Sequence, residues 1–408
     1  MTRPLKMKNA IQPYAWGSMT AIAELLGQPS PSNQPEAELW MGAHPKAPSQ
    51  VWYQGRWQSL HEMIRQEPLS FLGETAIRHF GPQLPFLLKV LAVEQPLSIQ
   101  AHPDKAMAQK GFARENDQGI SLRAPQRNYR DDQHKPECVC ALTPFTALCG
   151  FRAAEEIYGL LNAIWPVQRR HELDLLSGGE EDEALKSFFN HVMRLPKESR
   201  KELIDHLVEA TMHAKQSESA HDWMVRLNNT YPGDIGVLSP CILHLVTLDP
   251  GQALFLPSGK LHAYLHGVAI EVMANSDNVL RGGLTPKHVD IDELLNVLTF
   301  DAPALEILEP ASICPASRRY PSQADEFELE AISTDVSAGY DSGERLNSPE
   351  ILLCIDGEAE IAWGDGGSNM ALTKGESIIV PADADRYTLD GRAEIYKAGI
   401  NRRILTHA

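Results

Sequence analysis

The sequence has no apolar run approaching the roughly 20 residues needed to span a bilayer, and residues 1–19 lack the apolar stretch of a secretory leader. No membrane partner is expected, and the chain reads as a cytoplasmic protein. Cysteine is sparse, 6 in 408 residues, too few for a disulfide scaffold. Cys138 and Cys140 form one C-x-C pair with no second pair at zinc-finger spacing. At strand period both fall on one face of an apolar run, so buried thiols are expected. Positive charge is in deficit: 37 Lys and Arg face 54 Asp and Glu, a formal net charge of −17. That disfavours nucleic acid and anionic lipid as partners, which need a basic surface. It also means that an anionic substrate must find local basic residues strong enough to overcome the field of the whole chain. No G-x4-G-K-[ST] phosphate loop is present. His61-Glu-Met-Ile-Arg65 starts like a metalloprotease helix but lacks the second His. Gly364-Asp-Gly-Gly367 reads as a hairpin loop beside Ile361 and Trp363, not as a nucleotide cradle.

What the chain does have is an ordinary globular composition, 43% apolar and 22% charged, and length for two or three domains. Residues 1–150 read as short strands broken by Pro and Gly, with a few helices. The texture then changes. Ile157, Leu160, Leu161, Ile164 and Trp165 recur at helical spacing, as do Leu203, Ile204, Leu207 and Val208. Residues 151–233 are thus expected to be a helical domain, closed by Tyr231-Pro-Gly233. Strand texture resumes at Cys241, and Asp290 predicts the N-cap of a helix carrying Ile291, Leu294, Leu295 and Leu298.

The chain echoes itself. Gly251-Gln-Ala-Leu-Phe-Leu-Pro257 reappears as Gly375-Glu-Ser-Ile-Ile-Val-Pro381. Each is a Gly turn, an apolar strand and a terminating Pro, and each resembles the cupin motif G-x5-P-x-G-x2-H. The first copy completes the motif with Gly259 and His262; the second has Asp383 and Arg386 there. The expected fold is mainly β with a helical insert: two cupin-type, jelly-roll β-barrels plus a helical domain. Residues 1–150 and 234–320 form the catalytic barrel with associated helices. Residues 321–408 form a degenerate barrel without metal.

Four residues could converge on an ion. Gln100 and His102 are two apart, so a strand turns both to one face. Glu137 stands at the start of another strand, and His262 arrives through the cupin motif. Two imidazoles, a carboxylate and an amide oxygen suit zinc, with positions left open to water or substrate oxygens.

Several strings then resemble one family, type I phosphomannose isomerase. They are Asn9-Ala-Ile-Gln-Pro-Tyr-Ala-Trp-Gly17, Glu38-Leu-Trp-Met-Gly-Ala-His-Pro45, Phe86-Leu-Leu-Lys-Val-Leu91, Gln100-Ala-His-Pro-Asp104, His134-Lys-Pro-Glu137, Leu256-Pro-Ser-Gly-Lys-Leu-His262-Ala-Tyr264 and Arg281-Gly-Gly-Leu-Thr-Pro-Lys287. They run in the family's order over residues 9–290. The resemblance implies one Zn2+ per chain, held by Gln100, His102, Glu137 and His262. It implies interconversion of mannose 6-phosphate and fructose 6-phosphate, with a small sugar phosphate as the partner of a monomeric enzyme.

Aldose–ketose isomerisation moves a proton between C1 and C2 through a cis-enediol(ate), which needs a base and something to hold the oxyanion. The resemblance makes Arg281 a catalytic residue, read here as the oxyanion stabiliser. Ser98, Lys135 and Lys287 can hold a phosphate by hydroxyl and ammonium contacts. Lys89 is either a second contact to substrate or a strand lysine snorkelling to solvent. Glu271, Asp277 and Lys135 all remain open as the base. Trp16 and Tyr264 are expected to wall the sugar. Two other readings stand beside this one, an Fe(II) cupin oxygenase and a non-catalytic sugar-binding cupin. The basic residues argue against the first, and the metal set beside Arg281 argues against the second.

Overall fold

The structure, a computed structural model, describes residues 3–213, 219–335, 338–364 and 367–406. Its strands form two large sheets in which every described ladder is antiparallel, joined to a block of helices. In the first sheet His262–Ala274 is the hub, pairing with Phe86–Val93, Ile99–Ala101, Glu137–Ala141 and Phe145–Phe151. The second sheet is built on Glu350–Trp363 and Tyr387–Gly399. The helical region expected from the 3.6-residue period is present as Ala154–Asn162, Glu181–Met193, Lys197–His213 and Ser219–Thr230. Asp290 caps Ile291–Val297 as predicted, its carboxylate accepting from Glu293 N.

Strand alternation decides what faces the interior. Ile99, Ala101, Leu261 and Leu280 turn to the helical side, where they join Phe188, Phe189 and Leu207 in one core. Gln100, His262 and Arg281 therefore turn the other way, and the ladders set Gln100 opposite both His262 and Arg281. Cys138 and Cys140 pack into a second core on the outer side, so Glu137 and Val139 face inward. The long strand changes phase once. A β-bulge between Tyr264 and His266 lets His262, Tyr264 and Glu271 share the inner face despite their odd spacing. Gly267 follows the bulge at φ 119°, where a Cβ would lie 2.5 Å from Pro144 O. The echoed strands correspond in form: Ala253–Leu256 and Ser377–Val380 each follow a glycine at positive φ, Gly251 and Gly375.

One arrangement joins the two ends of the chain. Leu5–Lys8 pairs with Ser377–Val380 on one side and with Gln50–Tyr53 on the other. These N-terminal strands, read from the sequence with the catalytic barrel, hydrogen-bond into the sheet that also carries Glu350–Trp363. Strand periodicity says which face is apolar but not which partner the edge will find. A shared core follows, in which Leu5, Phe86 and Val272 pack with Phe327, Leu353 and Ile379.

Leu5→Ala should cost about 2–5 kcal/mol, because Leu5 is 1% exposed and sits at this seam. Urea unfolding followed by fluorescence and by circular dichroism should lose both sheets together. Two separate transitions would show that the seam does not couple them.

Candidate metal centre and active site

Three of the expected ligands come together. His102, Glu137 and His262 are each 1% exposed, and their ligand atoms all lie within 4.8 Å of one another. His102 Nε2 is 3.2 Å from Glu137 Oε1, and His262 Nε2 is 3.3 Å from Oε2. Donors held at about 2.1 Å around a tetrahedral ion stand about 3.4 Å apart, so these spacings are those of ligands sharing one ion. Both tautomers are set from behind. His102 Nδ1 donates to Asn278 O at 2.7 Å, and His262 Nδ1 to Lys260 O at 2.9 Å. Each Nε2 is left buried with no hydrogen-bond partner. Burial pushes His102 down to about 4, so its imidazole is neutral and ready to ligate. Gly259 closes the turn before His262, and its N–H donates to His102 O at 2.8 Å. Gln100, the fourth expected ligand, is half-buried beside His262 in the ladder.

A buried polar chain continues from Glu137. Burial favours the neutral acid, but Lys135 and the two histidines outweigh it and hold the carboxyl well below its usual range. Lys135 Nζ lies 3.1 Å from Oε1. The Tyr264 hydroxyl sits 3.3 Å from Glu137 and 3.1 Å from Glu271 Oε1, with one proton to share between two carboxylates. Glu271 Oε2 accepts from Lys89 Nζ at 2.9 Å, and Lys89 also faces Glu38 at 3.6 Å. Trp40 Nε1 donates to Glu38 and ends the chain. Burial raises Glu271, opposed by Lys89.

The structure places the other expected residues as follows. Lys89 does not snorkel; it is 6% exposed and spans two carboxylates. Tyr264 is 2% exposed and lies within the polar chain instead of on an open wall. Trp16 is half-buried, stacked on Tyr14 and packed against the cluster that holds Tyr264. Asp277 does not meet Arg281. It pairs with Lys46 at 2.8 Å and His44 at 3.6 Å, and despite burial these hold it far below the usual carboxylate range. Arg386, which replaces the second motif's His, is 63% exposed and paired with Asp341.

Arg281 and Lys287 have a neighbour that the sequence reading missed. Burial depresses both cations, and Arg130 depresses both further. None of the three forms an ion pair among the described residues. Arg130 lies in the irregular stretch before His134, where no period or motif marks it. Ser98 enters the strand that carries Gln100 and is half-buried. Three cations without a counter-ion, in a chain of net charge −17, make a local site for an anion.

With this geometry in view, known proteins were compared. Residues 5–154 match the family model of the type I phosphomannose isomerase catalytic domain, and residues 165–244 match its helical insertion domain. Residues 320–398 match the mannose-6-phosphate isomerase cupin domain. The mannose-6-phosphate isomerase of Escherichia coli (strain K12) is 42% identical over 395 residues, covering 96% of this chain and 98% of that protein. The chain belongs to the type I phosphomannose isomerase family. Mannose-6-phosphate isomerase 2 of Arabidopsis thaliana, 33% identical, covers 98% of this chain and 94% of its own. A crystal structure of a phosphomannose isomerase mutant from Salmonella typhimurium aligns with TM-score 0.90 at 37% identity, over 98% of this chain and 99% of that one. A zinc-bound mannose 6-phosphate isomerase structure aligns with TM-score 0.89 at 38% identity, over 98% and 99%.

His262→Gln should abolish stoichiometric metal binding while leaving the fold intact. Metal content by plasma emission spectrometry should fall far below one ion per chain, with an unchanged circular dichroism spectrum. Full zinc occupancy in that variant would remove His262 from the ligand set.

Proposed function

We propose that this chain interconverts D-mannose 6-phosphate and D-fructose 6-phosphate, moving a proton between C1 and C2 through a cis-enediol(ate). The observation that carries the reading is the pairing of two elements. A buried His–Glu–His set whose two Nε2 atoms have no hydrogen-bond partner shares its ladder with Arg281, and among the described residues neither Arg281 nor its neighbours Arg130 and Lys287 forms an ion pair. His102, Glu137, His262 and Gln100 would hold zinc, which supplies a Lewis acid for the sugar's C1 and C2 oxygens. Lys287, Arg130 and Ser98 bind the phosphate, where hydrogen bonds from charged donors are strongest. Arg281, next to Gln100 in the ladder and half-buried, offers a planar fork of donors to the enediolate oxygen.

Of the three candidate bases, Asp277 is the weakest, because Lys46 and His44 keep it ionised far below neutrality. Lys135 is engaged with Glu137, its Nζ 3.1 Å from the ligand carboxylate. Glu271 takes the proton in this reading. It is buried, raised by that burial, and one tyrosine hydroxyl from Glu137. The local excess of positive charge favours an anionic sugar over the neutral substrates open to an Fe(II) cupin oxygenase.

A coupled assay of mannose 6-phosphate isomerisation, run before and after chelation, tests the activity. Turnover should vanish with the metal and return with zinc. Persistent turnover in fully metal-free protein would defeat the proposal.

Arg281→Ala should keep zinc and lose about 10²–10³ in kcat with little change in KM, because the contact forms with charge that appears only in the transition state. Arg281→Lys should recover little, since the fork is lost. Lys287→Ala and Arg130→Ala should each raise KM by about tenfold with smaller effects on kcat, as a remote phosphate contact acts on both ground and transition states. A kcat effect alone from Lys287→Ala would exclude its phosphate role.

A further inference from the structure

The C-terminal sheet reaches the metal centre through one short stretch of chain. His134 immediately precedes Lys135 and stands three residues before Glu137. Residues 133–136 have no regular secondary structure; side-chain contacts hold their path together with one backbone bond, Ala274 N–H to Pro136 O. His134 Nε2 lies 2.6 Å from Oε1 of Glu326, which belongs to the link between Ser317–Tyr320 and Glu328–Thr334. Glu326 is 8% exposed and its loop is fixed. Phe327 is fully buried, and Asn401 Nδ2 donates to Ala324 O at 2.8 Å. The far end of the same strand is gripped as well. Cys140 Sγ lies 3.1 Å from the Tyr320 hydroxyl and 3.4 Å from that of Tyr396. Tyr320 in turn donates to Gly251 O at 2.7 Å, at the turn leading to the His262 motif. Lys135 and Glu137 lie between these two grips.

We propose that Glu326 is a positioning residue for the metal centre, acting through His134 on Lys135 and Glu137, so that the C-terminal domain is part of the catalytic apparatus. Outer contacts of this kind set ligand orientation, and their loss typically weakens metal binding by about 10–100-fold. The kinetic side of this inference rests on the isomerase reading; the metal-binding side does not.

The test uses the full-length zinc enzyme with Glu326→Ala, Glu326→Gln, His134→Ala and the double Ala variant. Zinc affinity is measured by competition with a chromogenic chelator, and kcat, KM and Tm are measured alongside. Glu326→Ala should weaken zinc about tenfold. It should lower kcat by a similar factor and leave KM within about twofold. Glu326→Gln keeps an acceptor for the imidazole and should restore most of both losses. The double variant should be no worse than either single, because both remove one contact. Should Glu326→Ala fail to fold, His134→Ala breaks the same contact from the more exposed partner and must give the same losses. A lowered Tm with unchanged zinc affinity and kcat would reduce Glu326 to a structural ion pair, and additive single effects would break the chain of action. A wild-type enzyme without isomerase activity would sink the functional proposal, while the zinc measurements still decide this one.

Discussion

A carboxylate buried to 1% exposure cannot stay ionised unless positive charge is brought to it, and Glu137 is that carboxylate. Its two oxygens face two imidazole Nε2 atoms whose rings already donate Nδ1–H to backbone carbonyls. The ligand atoms of His102, Glu137 and His262 lie within 4.8 Å of one another, where a bound cation would answer the carboxylate's charge. Lys135 Nζ lies 3.1 Å from one of the Glu137 oxygens. The polar chain counts three carboxylates, Glu38, Glu137 and Glu271, against two ammonium groups, Lys89 and Lys135. With a divalent ion among the ligands the balance turns positive by one. An anionic substrate is then favoured before the cations at Arg130, Arg281 and Lys287 are counted.

Holding such a group together requires that its backbone not relax. The helical core does this from one side, because Ile99, Leu261 and Leu280 anchor the very strands whose next residues are Gln100, His262 and Arg281. The shared core does it from the other, because Cys138 and Cys140 bracket the inward-facing Val139 two positions beyond Glu137. Both anchors use strand alternation alone. The exception, the bulge at Tyr264, adds one residue and so brings Glu271 into the same interior as His262.

Much of this was legible in the sequence. Period-2 and period-3.6 patterns marked the strands and helices, and the Gly–Pro echo marked the paired β units. Motif strings brought His102, Glu137 and His262 together across the helical insert, which no local periodicity could do. Three things were not legible, each for a physical reason. The pairing of Leu5–Lys8 with Ser377–Val380 is a choice of partner, and an edge strand's pattern is compatible with many partners. The burial of Lys89 depends on two carboxylates from other strands, and nothing in Phe86-Leu-Leu-Lys-Val-Leu91 reveals them. Arg130 lies in an irregular segment, where only the tertiary fold sets it near Arg281 and Lys287.

The C-terminal domain meets the same electrostatic demand by other means. On the interior side of its sheet, Glu330 is a buried carboxylate, as Glu137 is in the first, and Glu350 is a half-buried one beside it. The charge that answers them is covalently part of the chain. Lys397 Nζ lies 3.1 Å from Glu330 and 3.6 Å from Glu350, with the Tyr340 hydroxyl at 2.5 Å, and burial fails to neutralise it against those partners. A lysine on Tyr387–Gly399 thus does electrostatically what a bound cation does between His102 and His262. An ammonium group cannot leave, exchange or offer open coordination positions. A domain neutralised in this way is suited to rigidity, and rigidity is what a surface that grips His134 and Cys140 must supply.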